Sequence, residues 1–120
     1  MANIVPTAGL ERIAALMGAD TVHLSVGTGT AAPAAGNTQL ATETARAAVA
    51  ATIQTGNQIE FRAFFANASL PATTNEVGLH FNGSGSANTG SLMVRAYLSC
   101  SLQSPRYTLF FSARIAAYHP

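Results

Sequence analysis

Alternation of apolar and polar residues with a period of two recurs along this chain, and it constrains the fold more than any other feature. Val22, Leu24 and Val26 alternate with polar neighbours, which is typical of a half-buried strand. The same pattern returns in residues 59–65, 75–81, 92–98 and 107–115. Turn signals separate these segments, so the sequence predicts six or more strands arranged as a β-sandwich or barrel.

The N-terminal segment has a helical period instead. Its apolar positions follow the i, i+3, i+4, i+7 spacing of one helix face: Leu10, Ile13, Ala14 and Met17. We predict a short helix over residues 8–17, with Thr7 as its cap, Glu11 in its first turn and Gly18 at its end. The 120 residues have the length of one domain, in which residues 1–20 form an N-terminal arm and this helix.

Two stretches between the strands lack a clear period. Residues 27–38 are rich in Gly, Thr, Ala and Pro, which predicts a loop that crosses between sheets or covers a surface. Residues 40–54 are alanine-rich and favour a helix by propensity, but alternation in their second half favours a strand. We therefore predict a helical turn at 39–44 and a strand at 46–54. The turn signal Gly56-Asn57 follows, and a polar loop is predicted at 82–90.

Charge is scarce, at 9% of residues, with five acidic side chains against six arginines and no lysine. Such a sparse and balanced set makes no basic stripe, so we expect no binding to nucleic acid. No segment has the roughly 20 apolar residues of a membrane span, and no secretory signal is visible, so we expect a soluble compartment. A surface poor in charge suits burial against neighbouring proteins, although a monomer with an uncharged polar surface would have the same composition.

The residues offer little for catalysis or metal binding. The histidines, His23, His80 and His119, have no metal-ligand spacing and are interpreted as surface or rim residues. Cys100 is the only cysteine and is interpreted as a small buried hydrophobe. No serine lies in a G-x-S-x-G motif. We therefore expect no enzyme activity, no metal and no cofactor.

The arginines pair with acidic residues along the predicted strands, either within one subunit or across an interface. Three pairs are expected: Glu43–Arg46, Glu60–Arg62 and Glu76–Arg95. Arginine is enriched at protein interfaces, and some strands carry extra aromatic residues on their polar side. Four residues are therefore interface candidates, although each is also compatible with a plain structural role: Arg62, Phe64, Arg95 and Phe110.

Most of the chain resembles a domain found in structural proteins of tailed bacteriophages. The resemblance is carried by the segments GLERIAAL, HLSVGTGTAAPAAGNTQL, TETARAAV, GNQIEFRAFF, NEVGLHF and GSLMVRAYLS. Within them, VGTGT is followed by L-x-x-E-x-x-R (Leu40, Glu43, Arg46) and later by EVGL, which starts at Glu76. The resemblance implies architectural roles, with glycines in tight turns and Glu76 tying a loop or pairing with an arginine. His80 departs from the family pattern, which often has an acidic residue and a glycine soon after EVGLF.

The resemblance implies a virion protein that acts by binding alone. Our leading hypothesis is a capsid cement or decoration protein with a jelly-roll-like antiparallel β-sandwich and a short N-terminal helix. It would be assembled in the host cytoplasm and seated on the capsid exterior, with the major capsid protein and copies of itself (a dimer or trimer) as partners. The first alternative is a tail-fibre or baseplate adaptor. Another is a small-ligand or glycan-binding module, for which three tyrosines offer stacking surfaces: Tyr97, Tyr107 and Tyr118.

Overall fold

The computed structural model describes residues 4–65, 70–100 and 107–114 of the chain. One helix is followed by seven strands in this part: α1 (Thr7–Gly18), β1 (Val22–Gly27), β2 (Glu43–Ala48), β3 (Ala51–Thr55), β4 (Gln58–Phe65), β5 (Thr74–Phe81), β6 (Ser91–Cys100) and β7 (Tyr107–Arg114). The prediction of a mainly β protein with one short N-terminal helix is thus confirmed. No helix in the described ranges is long and apolar enough to cross a membrane.

The strands form two antiparallel sheets that share one apolar core. Sheet A has the order β2-β1-β5-β6, and sheet B has the order β3-β4-β7. Both sheets contribute every second residue to the core, as the period of two requires. The Phe61 ring of sheet B meets the Phe81 ring of sheet A edge to face, with centroids 5.7 Å apart. The main buried side chains are Leu24, Val26, Val77 and Leu79 from sheet A, and Ile59, Phe61, Ala63 and Phe65 from sheet B.

Helix α1 confirms the predicted helix but begins differently. Pro6, not Thr7, is the N-cap residue, and its carbonyl accepts the first hydrogen bonds of the helix from Gly9 and Leu10. No side chain caps this end, and Glu11 lies beyond the first turn, so both predicted roles were wrong. The extended backbone of Pro6 places its carbonyl at the helix start without a capping hydroxyl.

The alanine-rich segment 39–54 forms neither the predicted helical turn nor one strand. Residues 39–42 are irregular, and two strands follow in different sheets. The chain crosses between the sheets at Val49, whose N–H donates to Val22 O, and Ala50, whose N–H donates to Arg62 O. Pairing with β1 on one side and with β4 on the other outweighs the helix propensity of alanine here.

The two central strands of sheet A are more buried than predicted. All six residues of β1 are buried, and so are all residues of β5 except Asn75, which is half-buried. The prediction of half-buried strands was wrong for both. Part of the face that points away from the core, around Glu76 and Gly78, lies beneath a long irregular segment, residues 28–42. The predicted loop at 27–38 begins one residue later, because Gly27 ends β1, and it continues to residue 42. The loop at 82–90 and the turn at Gly56-Asn57 are present as predicted. Gly56 has a positive φ of 60°, which suits a glycine.

Candidate functional site: a buried polar layer that anchors two loops

The outer face of sheet A, on the side away from the core, carries a buried layer of polar side chains. His23 and Ser25 of β1 and Glu76 and His80 of β5 lie in this layer, each at most 7% exposed. We call the irregular residues 28–42 the covering loop. Its Leu40 is 1% exposed and packs over Gly78, where an added Cβ would stand 3.0 Å from the Leu40 side chain.

Glu76 holds the covering loop through its carboxylate. Oε2 accepts hydrogen bonds from the backbone N–H groups of Gly29 at 2.7 Å and Thr42 at 2.8 Å. Oε1 accepts from the N–H of Ala41 at 2.8 Å, and Arg95 donates to the same oxygen from Nη2 at 3.1 Å. Both ends of the covering loop are therefore bound to one fully buried side chain, through charge-assisted hydrogen bonds.

Arg95 extends this anchor to the middle of the covering loop. Its Nη1 donates to Asn37 Oδ1 at 3.0 Å, and its Nη2 donates to Ala31 O at 2.8 Å. The planar guanidinium can make these contacts and the ion pair with Glu76 together, because its donors point in several fixed directions. The pair confirms the predicted Glu76–Arg95 contact, and its function here is to hold a loop within one subunit.

The environment of Glu76 keeps it ionised. Burial acts to raise the pKa of its carboxyl, but the backbone N–H groups of Thr42, Ala41 and Gly29 and the Arg95 side chain lower it more. The net pKa lies below the ordinary value, as expected for a carboxylate that accepts several hydrogen bonds.

Glycine is required at two positions beside Glu76 because there is no space for a side chain. A Cβ on Gly29 would overlap the Glu76 carboxylate and the Ala41 side chain, and a Cβ on Gly27 would overlap Thr42 O. These two glycines belong to the VGTGT segment. The segment is therefore a close-packed strand end and cradles the protein's own carboxylate.

A second ion pair anchors the other loop. Glu43 and Arg46 form a bidentate pair with distances of 2.8 and 2.9 Å, and both side chains are at most 2% exposed. Arg46 Nη1 also donates to Ser84 O at 3.0 Å, to Thr89 O at 3.0 Å and to Thr89 Oγ1 at 2.9 Å. Glu43 Oε1 accepts from the N–H of Asn88 at 3.3 Å. Residues 82–90, the second loop, are thus fixed to β2 as the covering loop is fixed to β5.

We expect Arg46 and Arg95 each to hold one loop and to have no effect on the other loop. We expect Arg46→Lys to speed amide hydrogen exchange in residues 84–90 at least tenfold, because one ammonium cannot replace a fork of charge-assisted bonds that are each worth roughly 1.5–3 kcal/mol. Exchange in residues 29–42 should stay unchanged. Arg95→Lys is the matched control and should give the reverse pattern. If either substitution speeds exchange equally in both loops, the two anchors do not act separately.

Two buried histidines lie between the anchors. His23 and His80 are register partners across β1 and β5, and His80 Nε2 is 2.7 Å from Ser25 Oγ and 3.7 Å from Glu43 Oε1. A proton on Nε2 can be donated to Ser25 Oγ, and the Glu43 carboxylate lies nearby. The Nδ1 atoms of both rings are buried without a hydrogen-bond partner. The prediction of surface or rim histidines was therefore wrong for both, because β1 and β5 are central strands beneath a loop; His119 lies outside the described residues.

Burial and charge keep both histidines neutral. Burial lowers the pKa of His80, the positive charge of Arg46 and the neighbouring His23 lower it further, and Glu43 raises it. Burial lowers the pKa of His23 as well, with Arg46 lowering and Glu43 raising it. Each ring thus has a pKa below the value of 6.5 that it has in the unfolded chain.

Stability is therefore expected to fall on mild acidification. A histidine whose pKa is lowered by folding binds its proton more tightly in the unfolded chain, so its contribution is complete above pH 6.5 and declines below it. Each histidine can contribute a slope of at most about 1.4 kcal/mol per pH unit. Urea denaturation at intervals between pH 7.5 and 5.0 measures this slope, which should be smaller in His80→Gln. Glu76 adds its own loss only below pH 4.5, because its pKa is lowered. A flat or rising stability between pH 7.5 and 5.0 would contradict the assignment.

The Ser25, His80 and Glu43 side chains do not have the geometry of a catalytic triad. Ser25 is fully buried, and the serine and the carboxylate approach the same imidazole nitrogen, whereas a relay needs one on each nitrogen. Within the described ranges, no group of three or more His, Cys, Asp or Glu residues is placed to hold a metal ion. The charged side chains described above instead form hydrogen bonds that hold backbone N–H and carbonyl groups of the two loops in place.

Shallow grooves lie along both sides of the covering loop. One, of about 390 Å³, runs between residues 33–37 and strand β6, and the other, of about 430 Å³, is lined by residues 36–41. Arg95 borders both grooves, but its donors are engaged in the loop contacts described above. The grooves are therefore bordered by a fixed loop and an occupied arginine.

The four interface candidates lie in different environments. Arg62 and Phe64 are exposed on β4, and Arg62 forms the predicted pair with Glu60 at 3.0 Å. Arg95 is 4% exposed and belongs to the loop anchor. Phe110 is the register partner of Arg62 on β7, and its side chain lies outside the description, as does that of Cys100.

Among the tyrosines considered for stacking, Tyr97 is exposed on β6, and the side chains of Tyr107 and Tyr118 are not described.

Sequence reasoning paired the ionic residues correctly but missed what they hold. The three predicted pairs all form within the chain. Neither the contacts of Arg46 with residues 84–89 nor the pairing of His23 with His80 was predicted.

A scan against protein-family models found no match for this chain, and a search of the curated proteins found none either.

Proposed function

We propose that this chain is a non-enzymatic structural component of a tailed-phage particle, and specifically a capsid cement or decoration protein that bridges major capsid subunits. The observation that carries the proposal is the gathering of the phage-like motif residues in one buried network. Gly27 and Gly29 of VGTGT, Leu40 over Gly78, and the pairs Glu43–Arg46 and Glu76–Arg95 all lie in it. The contacts of Glu76 with the covering loop and with Arg95 support the architectural role that the resemblance implies for this residue.

Fixed loops support a function in binding. A loop that is already ordered loses less conformational entropy when it meets a partner, so its contacts contribute more to affinity. The grooves beside the covering loop and the exposed apolar residues Met93 and Tyr97 on β6 offer such contacts next to it. On a shell, many identical weak contacts add together through symmetry.

The proposal includes the architecture of a β-sandwich. The shared core of sheets A and B supports two layers packed face to face. A jelly roll has eight strands in two Greek keys. The described residues give seven strands, in which β1–β2, β3–β4 and β5–β6 are neighbours within a sheet. The jelly-roll-like order therefore stays a prediction.

Counting copies in purified particles tests the proposal. For a cement protein, quantitative mass spectrometry should find a near-stoichiometric ratio to the major capsid protein, and adding the folded chain to empty shells should raise their dissociation temperature. The heat-unfolded chain is the control for the second measurement. A ratio of a few per cent would assign the chain to the tail as a fibre or baseplate adaptor. Absence from particles would overturn the structural role.

A further inference from the structure

The outer face of sheet B, opposite the core, is an exposed surface of mixed character. On β4, four residues alternate with the buried core residues and point outward: Gln58, Glu60, Arg62 and Phe64. Phe64 is 62% exposed, and Ile53 on the neighbouring strand β3 is 42% exposed. Helix α1 packs on the other face of this sheet, where Gly18 fits against Ile59 and Thr52.

On this face, side chains of opposite character lie on either side of the middle of β4. Glu60 and Arg62 lie on either side of Phe61 and are the charged residues of β3 and β4. On β7, Arg114 is the register partner of Gln58. Phe64 lies three residues after Phe61, and Gln58 lies three residues before it. At the Gln58 end there is a shallow groove of about 160 Å³, bordered by Ile53, Thr55, Gln58, Ile59 and Glu60. The exposed Phe64 ring and the groove thus lie toward opposite ends of β4, with Phe61 between them.

We propose that the outer face of sheet B binds a second copy of this chain in a two-fold symmetric pair. The axis would lie between the two facing sheets, across β4 at Phe61. A rotation about it reverses the strand direction, so residue 64 of each copy lies over residue 58 of the other. Each Phe64 ring then enters the other copy's groove, and each Arg62 faces the other copy's Glu60. An isologous contact needs this self-complementarity in shape and charge.

The pair is expected to be weak in solution. Three strands spaced about 4.8 Å apart, with eight residues rising about 3.3 Å each, give a face of about 380 Å² per copy. Stable pairs bury roughly 800 Å² per partner, so this contact belongs to the small, transient class. Phe64 would contribute most of the affinity, because an aromatic side chain that enters a groove is a typical hot spot. The inference rests on this geometry alone and holds or fails independently of the virion role.

Charge reversal at the centre tests the proposal. In sedimentation velocity, the wild-type chain should show reversible, concentration-dependent dimers, and Phe64→Ala should weaken them at least tenfold. Glu60→Arg presents two positive charges and Arg62→Glu two negative ones, so each variant alone should be monomeric. An equimolar mixture of the two should form a heterodimer, because unlike faces then meet.

Three results would overturn the pairing. They are a wild-type chain that stays monomeric up to millimolar concentration, single variants that dimerise as strongly as wild type, and a mixture that associates no better than its components. Thermal unfolding of each variant shows that it is folded, which is expected because Glu60 and Arg62 are an exposed pair. A copy count in particles does not depend on any of these outcomes.

Discussion

Glu76→Gln is expected to lower the free energy of unfolding by about 3–5 kcal/mol, the cost of breaking a buried ion pair by removing one partner. The amide leaves Arg95 buried without its counter-charge. It also replaces a carboxylate that accepts hydrogen bonds from the N–H groups of Gly29, Ala41 and Thr42 with a group that has one acceptor oxygen. Urea denaturation at pH 7.5 measures the loss.

Glu60→Gln is the matched control for this prediction. Glu60 also pairs with an arginine on a strand, but the Arg62 side chain is 45% exposed, whereas Arg95 is 4% exposed. An exposed pair of this kind contributes less than about 1 kcal/mol. If the two substitutions cost the same, the covering loop is not held by Glu76 in the way described here.

Phe61→Ala is expected to cost about 3–5 kcal/mol, as is usual when a large aromatic residue is removed from a core. Phe61 is fully buried between the sheets, and its ring contacts Phe81 of the opposite sheet. The substitution leaves a cavity at the centre of the shared core and removes an edge-to-face contact. Chemical denaturation measures this loss as well, at a protein concentration low enough to keep the chain monomeric.

Phe64→Ala on the same strand is the control for Phe61→Ala. Its ring is 62% exposed, so its removal should change the stability of the monomer by no more than about 0.5 kcal/mol. Equal losses from both substitutions would contradict the assignment of alternate β4 residues to the core and to the surface.

The predictions that succeeded were those that depend on local patterns. The period of two located β1 and β4 to β7, and the i, i+3, i+4, i+7 spacing located α1. Oppositely charged residues close together in sequence or on facing strands formed the three ion pairs. These signals are strong because strand and helix geometry place such residues side by side wherever the element lies in the fold.

The predictions that failed depend on contacts between distant residues. Alternation shows which residues of β1 share a face, but not whether other parts of the chain cover that face. His23 and His80 therefore had the sequence pattern of surface residues. The crossing at Val49 and Ala50 likewise depends on hydrogen bonds to Val22 and Arg62, which no local propensity encodes. The pairing of Glu76 with Arg95 was predicted from their charges, whereas its role in tying a loop was implied only by the resemblance.

The anchoring of the covering loop also has a consequence for folding kinetics. The hydrogen bonds from Gly29, Ala41 and Thr42 to Glu76 span 47, 35 and 34 residues of chain. We expect them to form after β1 has paired with β5, because that pairing places Glu76 beside Gly27 at the start of the loop. Contacts made after the transition state leave the folding rate nearly unchanged and slow unfolding. The buried carboxylate would therefore act mainly on the unfolding rate, and so on how long the native protein persists.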